Sequence, residues 1–281
     1  MDVSLFASSV RPELYQGFFD SLESTSVEHE VIFSGCSKNI FGEDISTAHD
    51  YIADWSMWGL LNNFRYIQTS NIKPAQCYEI ARRHCQGEVV VWVADDCEFP
   101  NDVIGKAYRY WKKIGFEKLI LSIQTKETGY NVPKGQCFDM NVHRFFGGHK
   151  QTPLMAPLGM MSRKFLDEMG GIDRRYICGQ YENDIVMRAY AQGGMVEIFG
   201  GPDCFIDIDH LGKSYLTGES KKDTDFLRRP FALGYSHDRS VLENSWVKNG
   251  IITFERSDKF EPFEDKDILT KSQSFNLPRW E

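Results

Sequence analysis

The sequence contains no apolar run approaching the ~20 residues that a membrane-spanning helix needs. Its first residues, Met1-Asp2-Val3-Ser4-Leu5-Phe6, lack the basic opening and long apolar core of a secretory signal. Positive charge is not in excess: 32 Lys and Arg against 40 Asp and Glu leave a net charge of -8, which argues against a broad nucleic-acid footprint but not against a local basic patch. The seven cysteines are odd in number and show no metal-finger spacing, so reduced thiols are expected, most of them acting as small hydrophobes. Internal repeats and low-complexity tracts are absent. The loop after the first predicted strand, Ser8-Ser9-Val10-Arg11, has neither the glycines nor the positive charge of a triphosphate-gripping loop. Together these absences predict a cytoplasmic protein, at most peripheral to a membrane.

What is present suits a sizeable core. The 281 residues are 42% hydrophobic and 14% aromatic, enough for one large domain or a domain with an appendage. Strands are predicted at 3–7, 30–33, 65–67, 89–93 and 118–122, with helices over 12–22 and 74–85 between the early ones. That alternation implies a mostly parallel sheet with right-handed crossovers. The segment 125–152 is longer than an ordinary loop, and reads as a functional lid or a local excursion. Beyond it, 157–161 looks extended, 164–169 and 183–192 read as helices closed by glycine pairs, and 196–199 and 205–208 read as strands. The chain after about residue 212 is more charged and less periodic, suggesting a helix and an extended tail.

The most informative stretch is Val89-Val90-Val91-Trp92-Val93-Ala94-Asp95-Asp96-Cys97. A fully apolar strand ends abruptly in two carboxylates, and ligands of open α/β sheets bind beyond the carboxyl ends of the strands. Adjacent carboxylates there suit a hard divalent cation that also grips phosphate oxygens. A solvated turn is the plainer alternative. Two further features follow in order: Tyr181-Glu182-Asn183-Asp184 at the start of a helix, and Asp209-His210 after a strand.

The order of these motifs resembles the GT-A (Rossmann-like) fold of the family-2-type inverting glycosyltransferases. The resemblance spans about residues 3 to 215. Ser9-Val10-Arg11-Pro12 is similar to the family's first nucleotide-side loop, and Asp95-Asp96 with Pro100 to its metal-binding strand end. Met169-Gly170-Gly171-Ile172-Asp173 is similar to its Gly-Gly-Phe-Asp element, Glu182-Asn183-Asp184-Ile185 with Arg188 to its Glu-Asp-x-Asp-Leu…Arg segment, and His210 to its late metal-contacting histidine.

The resemblance implies an α/β fold with a central, mostly parallel sheet flanked by helices and a C-terminal helical and extended appendage. A GT-A domain is expected over 1–215, its nucleotide-sugar half over 1–122 and its acceptor half over 123–215, with a lid or tail at 216–281. The implied activity is metal-dependent, inverting transfer of a sugar from a nucleotide-diphosphate sugar, with UDP favoured. The acceptor class spans glycans, lipid-linked sugars and modified nucleic-acid bases. Mn²⁺ or Mg²⁺ is the implied cofactor.

Site roles follow residue by residue. Ser9, Arg11, Ser34, Asp95 and Asp96 are expected on the sugar donor, with Asp96 and His210 on the metal. Glu182 is expected to be the general base, with Asp184 as the alternative, and Gly159, Tyr181, Asp184 and Arg188 are expected on the acceptor side. Asp184 and Arg188 are spaced i, i+4 and equally suit an ion pair. Asn183 equally suits a helix cap. Ser34-Gly35-Cys36-Ser37 stands where the family carries Asp-Asp-Gly-Ser, so base recognition is expected from other groups. A nucleotidyltransferase acting on sugar phosphates and a non-catalytic nucleotide-sugar-binding module are the competing classes.

Overall fold

The computed structural model describes residues 1–9, 14–36, 63–69, 73–128, 138–139, 153–201, 203–209 and 229–265. Arg11, His210 and most of the 125–152 segment fall outside them.

Seven strands form the central sheet. In chain order they are β1 (Val3–Ser8), β2 (His29–Cys36), β3 (Phe64–Thr69), β4 (Val89–Trp92), β6 (Leu119–Ile123), β9 (Gly159–Ser162) and β10 (Met195–Phe199). Their spatial order is β10-β6-β9-β4-β1-β2-β3. Every pairing is parallel except the two made by β9, which runs antiparallel between β4 and β6. The extended segment expected at 157–161 thus becomes an inverted interior strand of the sheet, next to its central strand β4.

Alternation of side chains sends the strands' apolar groups into two cores. Val3, Leu5 and Ala7 of β1, with Val89 and Val91 of β4, face a core shared with α1 (Tyr15–Leu22) and α3 (Val103–Ile114). Phe6, Val90 and Trp92 face the opposite core, shared with α2 (Pro74–Arg83), α4 (Arg163–Glu168), α5 (Tyr181–Ala191) and α6 (Arg229–Trp246). The result is a helix–sheet–helix sandwich. Val89 to Val91 are wholly inaccessible, and full burial of a valine contributes roughly 1.5–3 kcal/mol, so this stretch is well anchored before it reaches Asp95.

A smaller sheet, ordered β5-β11-β7-β8, sits where the central strands end. It comprises β5 (Cys97–Glu98), β7 (Thr125–Thr128), β8 (Phe138–Asp139) and β11 (Ile206–Asp209). The first part of the long 125–152 segment is therefore strand. Gln124 joins the sheets, donating to the Phe199 carbonyl at 2.8 Å and accepting from Ile206 N–H at 2.8 Å.

The C-terminal segment is tied down by charge. After α6, β12 (Val247–Lys248) and β13 (Ile251–Ile252) form a hairpin. The chain then returns so that Arg256 donates to Asp173 at 2.6 Å and to Asp258 at 2.9 Å, while Arg175 donates to both carboxylates. Among the described residues no helix is long and apolar enough to cross a membrane. Cys77, Cys85, Cys97, Cys178 and Cys204 carry no disulfide.

Candidate functional site

β4 ends at Trp92, and the chain turns through Asp95 and Asp96 before β5, with Cys97 N–H closing the turn on the Ala94 carbonyl at 3.2 Å. Both aspartates are buried, at 2% and 6% exposure. Buried carboxylates require partners. Asp95 has one in Ser9: the Ser9 hydroxyl donates to Asp95 Oδ2 at 2.6 Å, and the Tyr15 hydroxyl donates in turn to Ser9 Oγ at 2.8 Å. Ser9 is fixed through its backbone as well. Its N–H meets the Ser34 carbonyl at 2.9 Å, and its own carbonyl accepts from the Tyr66 hydroxyl at 3.1 Å. Predicted sugar-donor residues Ser9, Ser34 and Asp95 therefore share the carboxyl edge of β1, β2 and β4. Ser34 is buried, and its hydroxyl has no partner among the described residues.

β11, which ends at Asp209, runs beside this edge. It pairs antiparallel with β5, Ile208 against Cys97 and Asp207 against Glu98. The pairing stops at Cys97, the residue after Asp96, and His210 follows Asp209 in the chain outside the described residues. Among the described residues no group of three metal-ligating side chains is assembled. Asp95 and Asp96 nonetheless fit a Mg²⁺- or Mn²⁺-class ion, because such ions are commonly held by one or two carboxylates and completed by substrate phosphates and water.

Tyr78 links this edge to the predicted base. Its hydroxyl donates to the Val93 carbonyl at 2.7 Å, and its ring lies 5.0 Å from that of Tyr181. Burial raises the Tyr78 phenol far above its usual value, and the nearby Asp95, Cys97 and Asp96 push it the same way against a hydrogen bond with Tyr181. Burial likewise holds Tyr181 neutral, with Tyr78 and Glu182 reinforcing the effect. Both rings are therefore neutral, and Tyr78 packs against the first residue of α5.

Within α5 the acidic residues diverge. Glu182 is half-buried on the first turn. Asp184 is fully buried: Oδ2 accepts from Arg188 Nε at 2.8 Å, Oδ1 accepts from Trp246 Nε1 at 2.9 Å, and Arg256 lies 3.2 Å from Oδ1. Arg188 donates to the carbonyls of Met169 at 2.7 Å and Gly171 at 2.5 Å. The i, i+4 pair expected as one alternative is thus a buried brace, and these bonds turn Asp184 and Arg188 into the scaffold rather than towards an acceptor. Asn183 donates to the Gln180 side chain at 2.8 Å, a local tie at the helix start.

The glycine-pair loop is held from both sides. Gly171 adopts φ 76°, and a Cβ there would lie 2.6 Å from Glu79 Oε2 and 2.7 Å from Arg82. Asp173 is wholly buried and spent on Arg175 and Arg256. Gly159 also has a steric reason: Trp92 lies across it, and a Cβ would meet the ring at 2.1 Å. Its role in the structure is to seat Trp92, whose Nε1 donates to the Ala156 carbonyl at 3.1 Å.

Three contributors were not apparent from local sequence. Tyr15 and Tyr78 occupy helix faces whose pattern signals only core. Asp238, on α6, accepts from the backbone N–H groups of Ile177, Cys178 and Gly179, from 59 to 61 residues away.

No protein-family model and no curated protein matches the chain. Solved structures do. Staphylococcus aureus TarS residues 1–349 matches with a TM-score of 0.55 at 15% identity, over 89% of this chain and 76% of that one. The same protein in complex with UDP-GlcNAc matches with a TM-score of 0.56 at 14% identity, over 84% of this chain and 66% of that one. Its UDP complex gives 0.55 at 12% identity, over 92% and 98%. Against the longer TarS chain the match covers 46% of that chain. The central, mostly parallel sheet flanked by helices is thus a fold shared with the TarS structures.

Proposed function

We propose that the chain is a metal-dependent, inverting glycosyltransferase that moves a sugar from a nucleotide-diphosphate sugar to an acceptor hydroxyl. UDP is the favoured nucleotide, since the TarS structures of the same fold hold UDP-GlcNAc and UDP. The observation that supports the reading best is that Ser9 holds Asp95 beyond the end of β4, while Tyr78, bonded to the Val93 carbonyl of the same chain segment, lies with its ring 5.0 Å from that of Tyr181, the residue before Glu182. It joins an acidic, cation-suited edge to a half-buried carboxylate on a different element.

Each residue then has a chemical task. Asp96 and Asp95 would hold Mn²⁺ or Mg²⁺, with His210 as a further ligand, and the ion neutralises charge on the departing diphosphate when bound. Ser9, supported by Tyr15, fixes Asp95 in one orientation, so the carboxylate need not reorganise when the sugar donor arrives. Ser34 and Arg11 are assigned to the nucleotide side. Glu182 accepts the proton of the acceptor hydroxyl as that oxygen attacks the anomeric carbon from the face opposite the diphosphate. Asp184 lacks that freedom, because both its oxygens are engaged inside the scaffold. Tyr181 is assigned to the acceptor side. Localisation in the cytoplasm, at most peripheral to a membrane, remains part of this reading.

Glu182→Gln tests it. The variant should bind UDP with Mn²⁺ as the parent does and lose about 10²–10⁴-fold in turnover of UDP-GlcNAc. Turnover near that of the parent would remove Glu182 from the role.

A further inference from the structure

α6 carries Gly234, Asp238, Leu242 and Trp246 at four-residue intervals, which places them along one helix face. That face bears on the segment leading into α5. A Cβ on Gly234 would meet Cys178 Sγ at 3.0 Å and Ile177 Cγ2 at 3.1 Å, so the glycine permits the close approach. One turn on, Asp238 is fully buried, with Oδ1 accepting from Ile177 N–H at 2.9 Å and Oδ2 from Cys178 N–H at 2.8 Å and Gly179 N–H at 2.9 Å. The Cys178 thiol also points at Oδ2, 3.4 Å away. Leu242 shares the core of Tyr181 and Ile185. At the far end Trp246 holds Asp184, two residues past Glu182.

Three consecutive N–H groups on one carboxylate dictate the local backbone. The next residue, Gln180, takes a left-handed conformation at φ 62° without being glycine, and it opens α5. Such a conformation persists only when its surroundings impose it. Glu182 follows two residues later.

We propose that Asp238 is a positioning residue for the reaction base, setting the start of α5, and with it the Glu182 carboxylate, through the backbone of residues 177–179. This rests on the reading of Glu182 as base. It gives α6 a part in the reaction without contact to substrate. Misplacement of a reacting group by about 1 Å is enough to cost ~10²-fold in rate.

Two variants test the inference. Asp238→Asn turns an amide NH₂ towards backbone donors, while Gly234→Ala leaves every charge in place and presses on Cys178. NMR titration of the Glu182 carboxyl, assigned by its absence in Glu182→Gln, needs no substrate. The midpoint should move by about 0.5 pH unit or more in both variants, because a pKa reports the group's immediate surroundings. With UDP-GlcNAc and Mn²⁺, kcat should fall about 10–100-fold in Asp238→Asn, with KM for UDP-GlcNAc kept within about twofold. Either substitution should add no further loss in the Glu182→Gln background.

A merely structural Asp238 would give equal fractional losses in both backgrounds and leave the Glu182 titration unmoved. That result overturns the proposal. If Asp238→Asn does not fold, Gly234→Ala alone decides, since an unmoved titration there overturns it equally. Parent-like turnover in Glu182→Gln would instead overturn the base assignment, so the two failures are distinguishable.

Discussion

Replacing Asp184 by alanine separates a scaffold residue from a reacting one. In the parent its buried carboxylate engages Arg188 Nε at 2.8 Å and Trp246 Nε1 at 2.9 Å, with Arg256 at 3.2 Å. Arg188 would keep its bonds to the Met169 and Gly171 carbonyls, and Arg256 its bonds to Asp173 and Asp258. The indole N–H and one face of each guanidinium would be left unmatched in a buried space. Removing one partner from a buried ion pair typically costs about 3–5 kcal/mol. At roughly 2–4 °C per kcal/mol for domains of 150–250 residues, Tm should fall by about 6–20 °C. Asp184→Asn should fall less, because Oδ1 can still accept from Trp246. Thermal unfolding of both variants, followed by UDP binding and UDP-GlcNAc turnover below the transition, gives the comparison. A parent-like Tm with turnover abolished would refute the reasoning and return Asp184 to the list of bases.

Asp96→Ala should abolish Mn²⁺-dependent UDP binding, measured by calorimetry; unchanged affinity in Mn²⁺ would remove Asp96 from the metal site. Gly159→Ala should lower Tm by several degrees by displacing the Trp92 ring, which a Cβ would approach to 2.1 Å, and an unchanged Tm would deny that contact its importance. Burial pushes the Lys73 ammonium down to about 8, against the pull of Asp238 and Cys178. Between that value and its unfolded value near 10.5 the unfolded chain binds more protons, so Lys73 makes stability rise with pH over this window. Denaturant titrations of Lys73→Met at pH 8 and pH 10 should show a smaller gain than the parent, and an equal gain would contradict the burial effect.

The sheet was largely legible because its strands carry their own signature. Val89 to Val93 reads as a buried strand, and β1, β6 and β10 lie within a residue of the predicted runs, whereas β2 extends three residues past its own, to Cys36. Orientation was less so. Nothing local in Gly159–Ser162 says that β9 runs against its neighbours, since antiparallel insertion is decided by the path of the chain between. The paired segments of β5 and β8 are two residues long, below any periodicity. Helix α3 does not figure among the elements read from sequence, although Val103, Ile104, Ala107, Tyr108 and Trp111 trace one face. Its start is hidden by Asn101 and Asp102, both left-handed and neither glycine.

The candidate site divides along the same line. Asp95, Asp96 and Glu182 could be singled out because each sits at the end of a legible element. Whether Asp184 faced substrate or scaffold depended on Trp246 and Arg256, which lie 62 and 72 positions further along the chain. Asp238 was illegible for the same reason, since an acidic residue in a charged helix looks solvated until Ile177, Cys178 and Gly179 are placed beside it.

The central claim is that a nucleotide diphosphate binds at the Asp95–Asp96 edge through a divalent cation. Thermal shift of the parent and Asp96→Ala with UDP, GDP, CDP and ADP, each in Mn²⁺ or EDTA, tests it most directly. A ligand at 100 times its Kd contributes about 2.7 kcal/mol, enough to move the transition visibly. The account predicts that UDP raises the parent's Tm in Mn²⁺, and that EDTA or Asp96→Ala removes the rise. No shift with any nucleotide, or a UDP shift indifferent to both EDTA and the substitution, would contradict it.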